Sequence, residues 1–168
     1  MAIRTILLLG NPALYEPSAE VRREDCAGLG GVARDLGDTM SAFRARYGAG
    51  RAIAAPQIGV PLRLVYMDVG GPLALVNPTI DVRSDEMMEL WDDCMSFPEL
   101  LVKVRRHRTI AVRFRDLRWE ERRIEAAGDL SELLQHEIDH LDGVLATMRA
   151  VDERSFAWRG GRARLGSR

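Results

Sequence analysis

The sequence predicts one domain that sets strands between two amphipathic helices, and three features predict it. Its 168 residues suit one compact unit with a buried core, and no repeat, low-complexity block or linker divides them. Two segments repeat apolar residues every three or four positions, the spacing of a helix with one buried stripe. Between them lie extended stretches punctuated by glycine and proline.

The first apolar run, Ile6 to Leu9, stops at Gly10-Asn11-Pro12 and is too short for a signal peptide, so it predicts a strand or buried segment. From Cys26 to Tyr47 the stripe Leu29, Val32, Leu36, Met40 and Phe43 predicts a helix, ended by Gly48 and Gly50. A tight small-residue stretch, Ala54-Ala55-Pro56, follows. Arg63 to Val69 and Leu73 to Val82 read as strands joined by Gly70-Gly71-Pro72. Val102 to Phe114 reads as one extended stretch whose second part alternates Ile110, Val112 and Phe114 against Ala111, Arg113 and Arg115. Those arginines read as a wet strand face rather than a nucleic-acid patch, since no aromatic residues are interleaved for base stacking. The last helix opens at Gly128-Asp129, with Asp129 as cap and Glu132 completing a capping box. Leu130, Leu133, Leu134, Ile138 and Leu141 form its apolar face, and Gly143 marks its stop. We expect a single domain over residues 1–152 and a basic, flexible tail over residues 153–168, which carry five arginines and three glycines.

A net charge of -1 gives no bulk pull toward nucleic acid or an anionic membrane. No apolar run approaches the roughly 18 residues that a membrane span needs. Two widely separated cysteines, Cys26 and Cys94, predict a reducing, cytoplasmic setting rather than a disulfide scaffold.

The last helix contains HEIDH, residues 136 to 140. Four positions apart, His136 and His140 project from one face and can ligate one ion, while Glu137 can lean over it as a base. The plain alternative is a pair of structural histidines. Yet two of the three histidines in the chain fall at this spacing on a buried-looking helix, where imidazoles need partners. The metzincin pattern fails, because its third histidine would fall at Ala146. A glutamate ligand from a later helix is improbable, because Glu153 is the sole glutamate after His140. A third ligand is therefore sought upstream, and Cys94 leads, although a lone cysteine is often just a small buried hydrophobe.

Three segments together resemble the peptide deformylase family: Gly50-Arg51-Ala52-Ile53-Ala54-Ala55-Pro56-Gln57-Ile58-Gly59, Asp92-Asp93-Cys94-Met95-Ser96, and Gln135-His136-Glu137-Ile138-Asp139-His140. Order and spacing match from Leu9 to about Leu145, Asn77-Pro78 and Arg106 included. The resemblance implies an α+β fold, with antiparallel sheets packed around the central HExxH helix. It implies one divalent ion on Cys94, His136 and His140, usually Fe(II), with Zn(II), Ni(II) or Co(II) able to take its place. It makes Glu137 the base, and the Gln57 amide and the Met95 backbone N–H the donors to the oxyanion. A substrate groove follows, with Gly50, Arg51, Ala52, Ile53, Leu90 and Leu133 along it and His136 in its wall. The activity implied is removal of formyl from the N-terminal methionine of new peptides, with ribosome-associated nascent chains as partners. The alternatives are a related amidase for another formylated or short acylated amine, and a catalytically silent peptide-binding relative. The chain departs from the family pattern at Ala52, Asp92, Asp93 and Ser131-Glu132, all beside the groove rather than in the ligand set.

Overall fold

The computed structural model describes residues 2–164. Helix α1 (Cys26–Tyr47) ends where Gly48 takes a left-handed φ of 66°, as its glycine stop predicts. Strands β1 (Ala52–Ala54), β2 (Leu64–Asp68), β3 (Pro72–Arg83), β6 (Thr109–Arg115) and β7 (Glu121–Ala127) form one antiparallel sheet in the order β1-β2-β3-β6-β7. Strands β4 (Met87–Asp93), β5 (Leu100–His107) and β8 (Phe156–Trp158) form a second, also antiparallel. Helix α2 (Asp129–Leu141) touches both sheets, so the expected α+β arrangement around the HExxH helix holds. No helix among the described residues is long and apolar enough to cross a membrane.

The apolar face of α2 (Leu133, Leu134, Ile138 and Leu141) packs on Val65, Leu75, Val112 and Phe114 of the larger sheet. Each such buried side chain stabilises the fold by about 1.5–3 kcal/mol. Helix α1 packs Leu29, Leu36, Met40 and Phe43 against Ile53, Leu64 and Val76. The polar half of α2 is buried too, Gln135, His136, Glu137, Asp139 and His140 included.

Four local expectations change. The stretch Val102 to Phe114 is two strands in different sheets that part at a bend on Arg108, and α2 takes up the backbone groups of His107 just before the break. Gln135 accepts from the His107 N–H at 3.0 Å and donates to its carbonyl at 2.9 Å, and the Ser131 hydroxyl donates there at 2.8 Å. No capping box opens α2: Gly128 is the N-cap, at φ 57° and ψ −127°, a conformation for which a glycine is suited, and Asp129 is the first helical residue. Ile6 to Leu9 is not a strand and is buried only in part, Ile6 packing against the core around α1. Leu8 and Leu9 are exposed, while the Leu7 and Leu9 N–H groups donate to the carbonyls of Gln57 and Ser96 at 2.8 Å. The tail expected to be flexible instead supplies β8, whose residues pair with Leu100–Val102, and a 3-10 turn from Arg159. Edge pairing is open to its backbone whatever its side chains. The remaining tail positions, 165–168, lie outside the described residues.

Candidate active site

Two elements meet at one point. Helix α2 presents His136 and His140 on the same face, and β4 delivers Cys94 at its end. The Cys94 thiol sulfur lies 3.2 Å from His140 Nε2, which lies 3.2 Å from His136 Nε2. All three side chains are at least nine-tenths buried. Two imidazole nitrogens and a sulfur this close could hold a cation among them. Burial lowers the proton affinity of both rings, but Asp92 and Cys94 raise that of His136 well above the usual histidine value. His140, opposed by burial and by the charge on His136, falls well below it. A soft sulfur with two imidazoles suits a divalent transition ion, so the donor set fits the metal that the sequence predicts.

His136 is oriented from behind. Its Nδ1 lies 2.9 Å from Asp92, the arrangement that fixes a ligand's tautomer. Burial pushes the Asp92 carboxyl up, but His136 and Arg106 outweigh it and hold Asp92 at about 2. Arg106 lies 3.2 Å from Asp92 and also pairs with Asp139, which in turn meets Arg149 at 2.9 Å. Asp92 thus reaches Arg106 despite being shorter than a glutamate. Asp92, Glu132 and His136 also cluster, but Asp92 is committed to His136 and Arg106, and Glu132 meets Arg51 at 3.0 Å.

Glu137 is buried in the site, and its Oε2 has no hydrogen-bond partner among the described residues. Burial pushes its pKa to about 7, and Asp92 and Glu132 add to the rise against the pull of His136 and Arg51. Gln57 sits in the 3-10 turn Ala55–Ile58 directly after β1. Its Oε1 accepts from the Ala54 N–H at 2.9 Å, which turns Nε2 toward Ser96 Oγ (3.2 Å) and the Cys94 sulfur (3.5 Å).

A narrow cleft of about 30 Å³, room for a water molecule or two, opens onto these groups. Gly50, Arg51, Ala52, Gln57, Met95 and Leu133 line it, together with Cys94, His136 and Glu137, as the sequence predicts. Ile53 and Leu90 do not. Ile53, between Ala52 and Ala54 on β1, points to the opposite face and is fully buried against α1. Leu90 packs beside Phe97 and Val104 in the smaller sheet's own core. Asp93 and Glu132, placed beside the groove from the sequence, line the cleft, and Phe43 lines it without having been singled out. Phe43 belongs to the apolar stripe of α1 and reads from sequence as core. The Asp92 bond to His136 was equally invisible, because 44 positions separate the partners.

This fold, with a buried glutamate lining the same cleft as a histidine pair and a cysteine, defines a metal-dependent hydrolase. The family model described as polypeptide deformylase matches residues 3–156. The chain is 38% identical to a peptide deformylase of Thermomicrobium roseum, covering 94% of this chain and 92% of that one. It is also 38% identical to a peptide deformylase of Bartonella tribocorum, over 86% of this chain and 83% of the relative. The fold is similar to the crystal structure of peptide deformylase from Thermotoga maritima, with a TM-score of 0.83 at 33% identity, covering 90% of this chain and 100% of that one. A peptide deformylase from Synechococcus elongatus in complex with actinonin gives 0.81 at 31% identity, covering 88% and 79%. The chain belongs to the polypeptide deformylase family, whose members use a divalent metal.

Proposed function

We propose that this protein hydrolyses the formamide of N-formylmethionyl peptides, with Cys94, His136 and His140 holding one divalent ion. Fe(II) is the expected ion by resemblance, and Zn(II), Ni(II) and Co(II) suit the same ligands. The observation that carries the reading is the meeting of one sulfur and two ring nitrogens, each 3.2 Å from the next, beside a buried glutamate. A bound ion supplies Lewis acidity, which acidifies water and polarises the formyl carbonyl.

The chain's own residues do the rest. Glu137, poised near neutrality, takes a proton from the attacking water and returns it to the leaving amine. The C–N bond breaks, the water oxygen stays with the formyl carbon, and formate and a free N-terminal amine result. As the carbonyl oxygen gains charge, the Gln57 Nε2–H and the Met95 backbone N–H donate to it. Gly50, Arg51, Ala52 and Leu133 flank the substrate's first residue. Phe43 and Met95 are shared with a wider apolar groove of about 260 Å³ along Ile6 and Tyr47, a path for the rest of the peptide. The substrates in the cell are then nascent chains at the ribosome, and the enzyme works in the cytoplasm.

One observation favours a second reading, in which another formylated or short acylated amine is the substrate. The Arg51–Glu132 ion pair stands in the wall of a cleft too small, as it stands, for a methionine side chain. Formate release from formyl-Met-Ala by anaerobically prepared protein, measured beside its metal content, tests the first reading. Preference for other formyl amides over formyl-Met-Ala selects the second. No formate from formyl-Met-Ala by protein carrying one equivalent of metal refutes the first reading, and no acid released from any formyl or short acyl amide refutes both.

A further inference from the structure

Cys94, Met95 and Ser96 lie on the short connection between β4 and β5, residues 94–99. One side chain from the C-terminal segment holds both ends of that connection. Arg159 Nη2 meets Asp93 Oδ2 at 2.7 Å where the loop begins, and Arg159 Nε donates to the Pro98 carbonyl at 2.5 Å where it ends. The Arg159 backbone N–H donates to the Glu99 carbonyl at 2.8 Å. Strand β8, immediately before it, is pinned to β5 from Leu100 to Val102. The anchor is therefore part of a sheet, not a free tail.

Arg159 lies three positions beyond the last residue that the family model matches, and Asp93 is one of the departures from the family pattern. Asp93 also lines the cleft, where an unpaired carboxylate would oppose the charge developing on the carbonyl oxygen. Arg159 is four-fifths covered and forks between an acid and a carbonyl, a geometry that guanidinium provides and an ammonium does not.

We propose that Arg159 is a positioning residue, a clasp that couples the C-terminal strand to Asp93 and sets the loop carrying the Cys94 thiol and the Met95 N–H. The proposal rests on the metal-site reading above, but its first readout needs neither metal nor substrate. In full-length protein, Arg159→Ala should speed amide exchange in residues 94–99 about tenfold, the loss expected for a charge-assisted hydrogen bond, and leave β6 and β7 unchanged. Loss of Ni(II) from the loaded protein to excess chelator should accelerate by a similar factor. Arg159→Lys should restore only part of either effect, because it cannot span both partners. In an Asp93→Ala background, Arg159→Ala should have a smaller effect than in the parent. Exchange and metal loss within twofold of the parent would overturn the proposal, as would faster exchange spread evenly through both sheets. If Arg159→Ala does not fold, Asp93→Asn gives the same test. It should loosen residues 94–99 to an intermediate degree, and parent-like exchange there refutes the clasp.

Discussion

Replacing Gln57 with leucine separates two tasks that one side chain performs. Its oxygen satisfies the Ala54 N–H at 2.9 Å in a fully buried turn, and its nitrogen faces the Cys94 sulfur and Ser96 across the site. Leucine is close in volume, so little cavity forms and both losses are polar. A buried N–H without a partner costs about 1–3 kcal/mol, which for a domain of this size lowers Tm by roughly 2–9 °C. Loss of one oxyanion donor costs about 2.7–4 kcal/mol of transition-state stabilisation, or 10²–10³ in kcat. Because that donation strengthens only as charge develops, kcat and kcat/KM should fall together while KM barely moves. Steady-state formate release from formyl-Met-Ala, with metal content and a thermal melt on the same sample, measures both. A variant that keeps its metal and loses less than tenfold in kcat refutes the donor role. A rise confined to KM would instead make Gln57 a ground-state contact.

Further outcomes follow from neighbouring groups. Cys94→Ala should purify with markedly less metal than the parent, whereas Glu137→Ala should keep its metal and lose about 10²–10⁴ in turnover; elemental analysis beside formate release checks the pair. Arg106→Leu leaves Asp92 and Asp139 buried without their shared counter-charge, and denaturant unfolding should show a loss of about 3–5 kcal/mol. Asp152 is held below its ordinary 3.8 by the Ser155 hydroxyl and then the Arg154 N–H, and Asp116 is held below it by the Glu120 N–H and Arg122, which outweigh burial. Their stabilising effect is therefore complete above about pH 4 and lost as pH falls through the depressed folded values. Asp116→Asn and Asp152→Asn should flatten the acid limb of a pH–Tm curve, and unchanged limbs would refute these assignments.

The parts of this protein that repeat at a fixed spacing were readable from the chain alone. Helix α1 showed its Leu29 to Phe43 stripe, α2 its Leu133 to Leu141 face, and β6 its alternation, because a local period follows from backbone geometry. His136 and His140 were legible for the same reason: one helical turn places them together whatever surrounds them. Strands β4 and β7 were not, since Met87–Asp93 and Glu121–Ala127 are too polar or too irregular in pattern to show a buried face. The tertiary structure alone decided what lies far apart in sequence. Asp92 is set behind His136 across 44 positions, Glu132 against Arg51 and Arg159 against Asp93. Such pairings depend on how two sheets close around one helix, and no local propensity encodes which side chains that closure brings into contact.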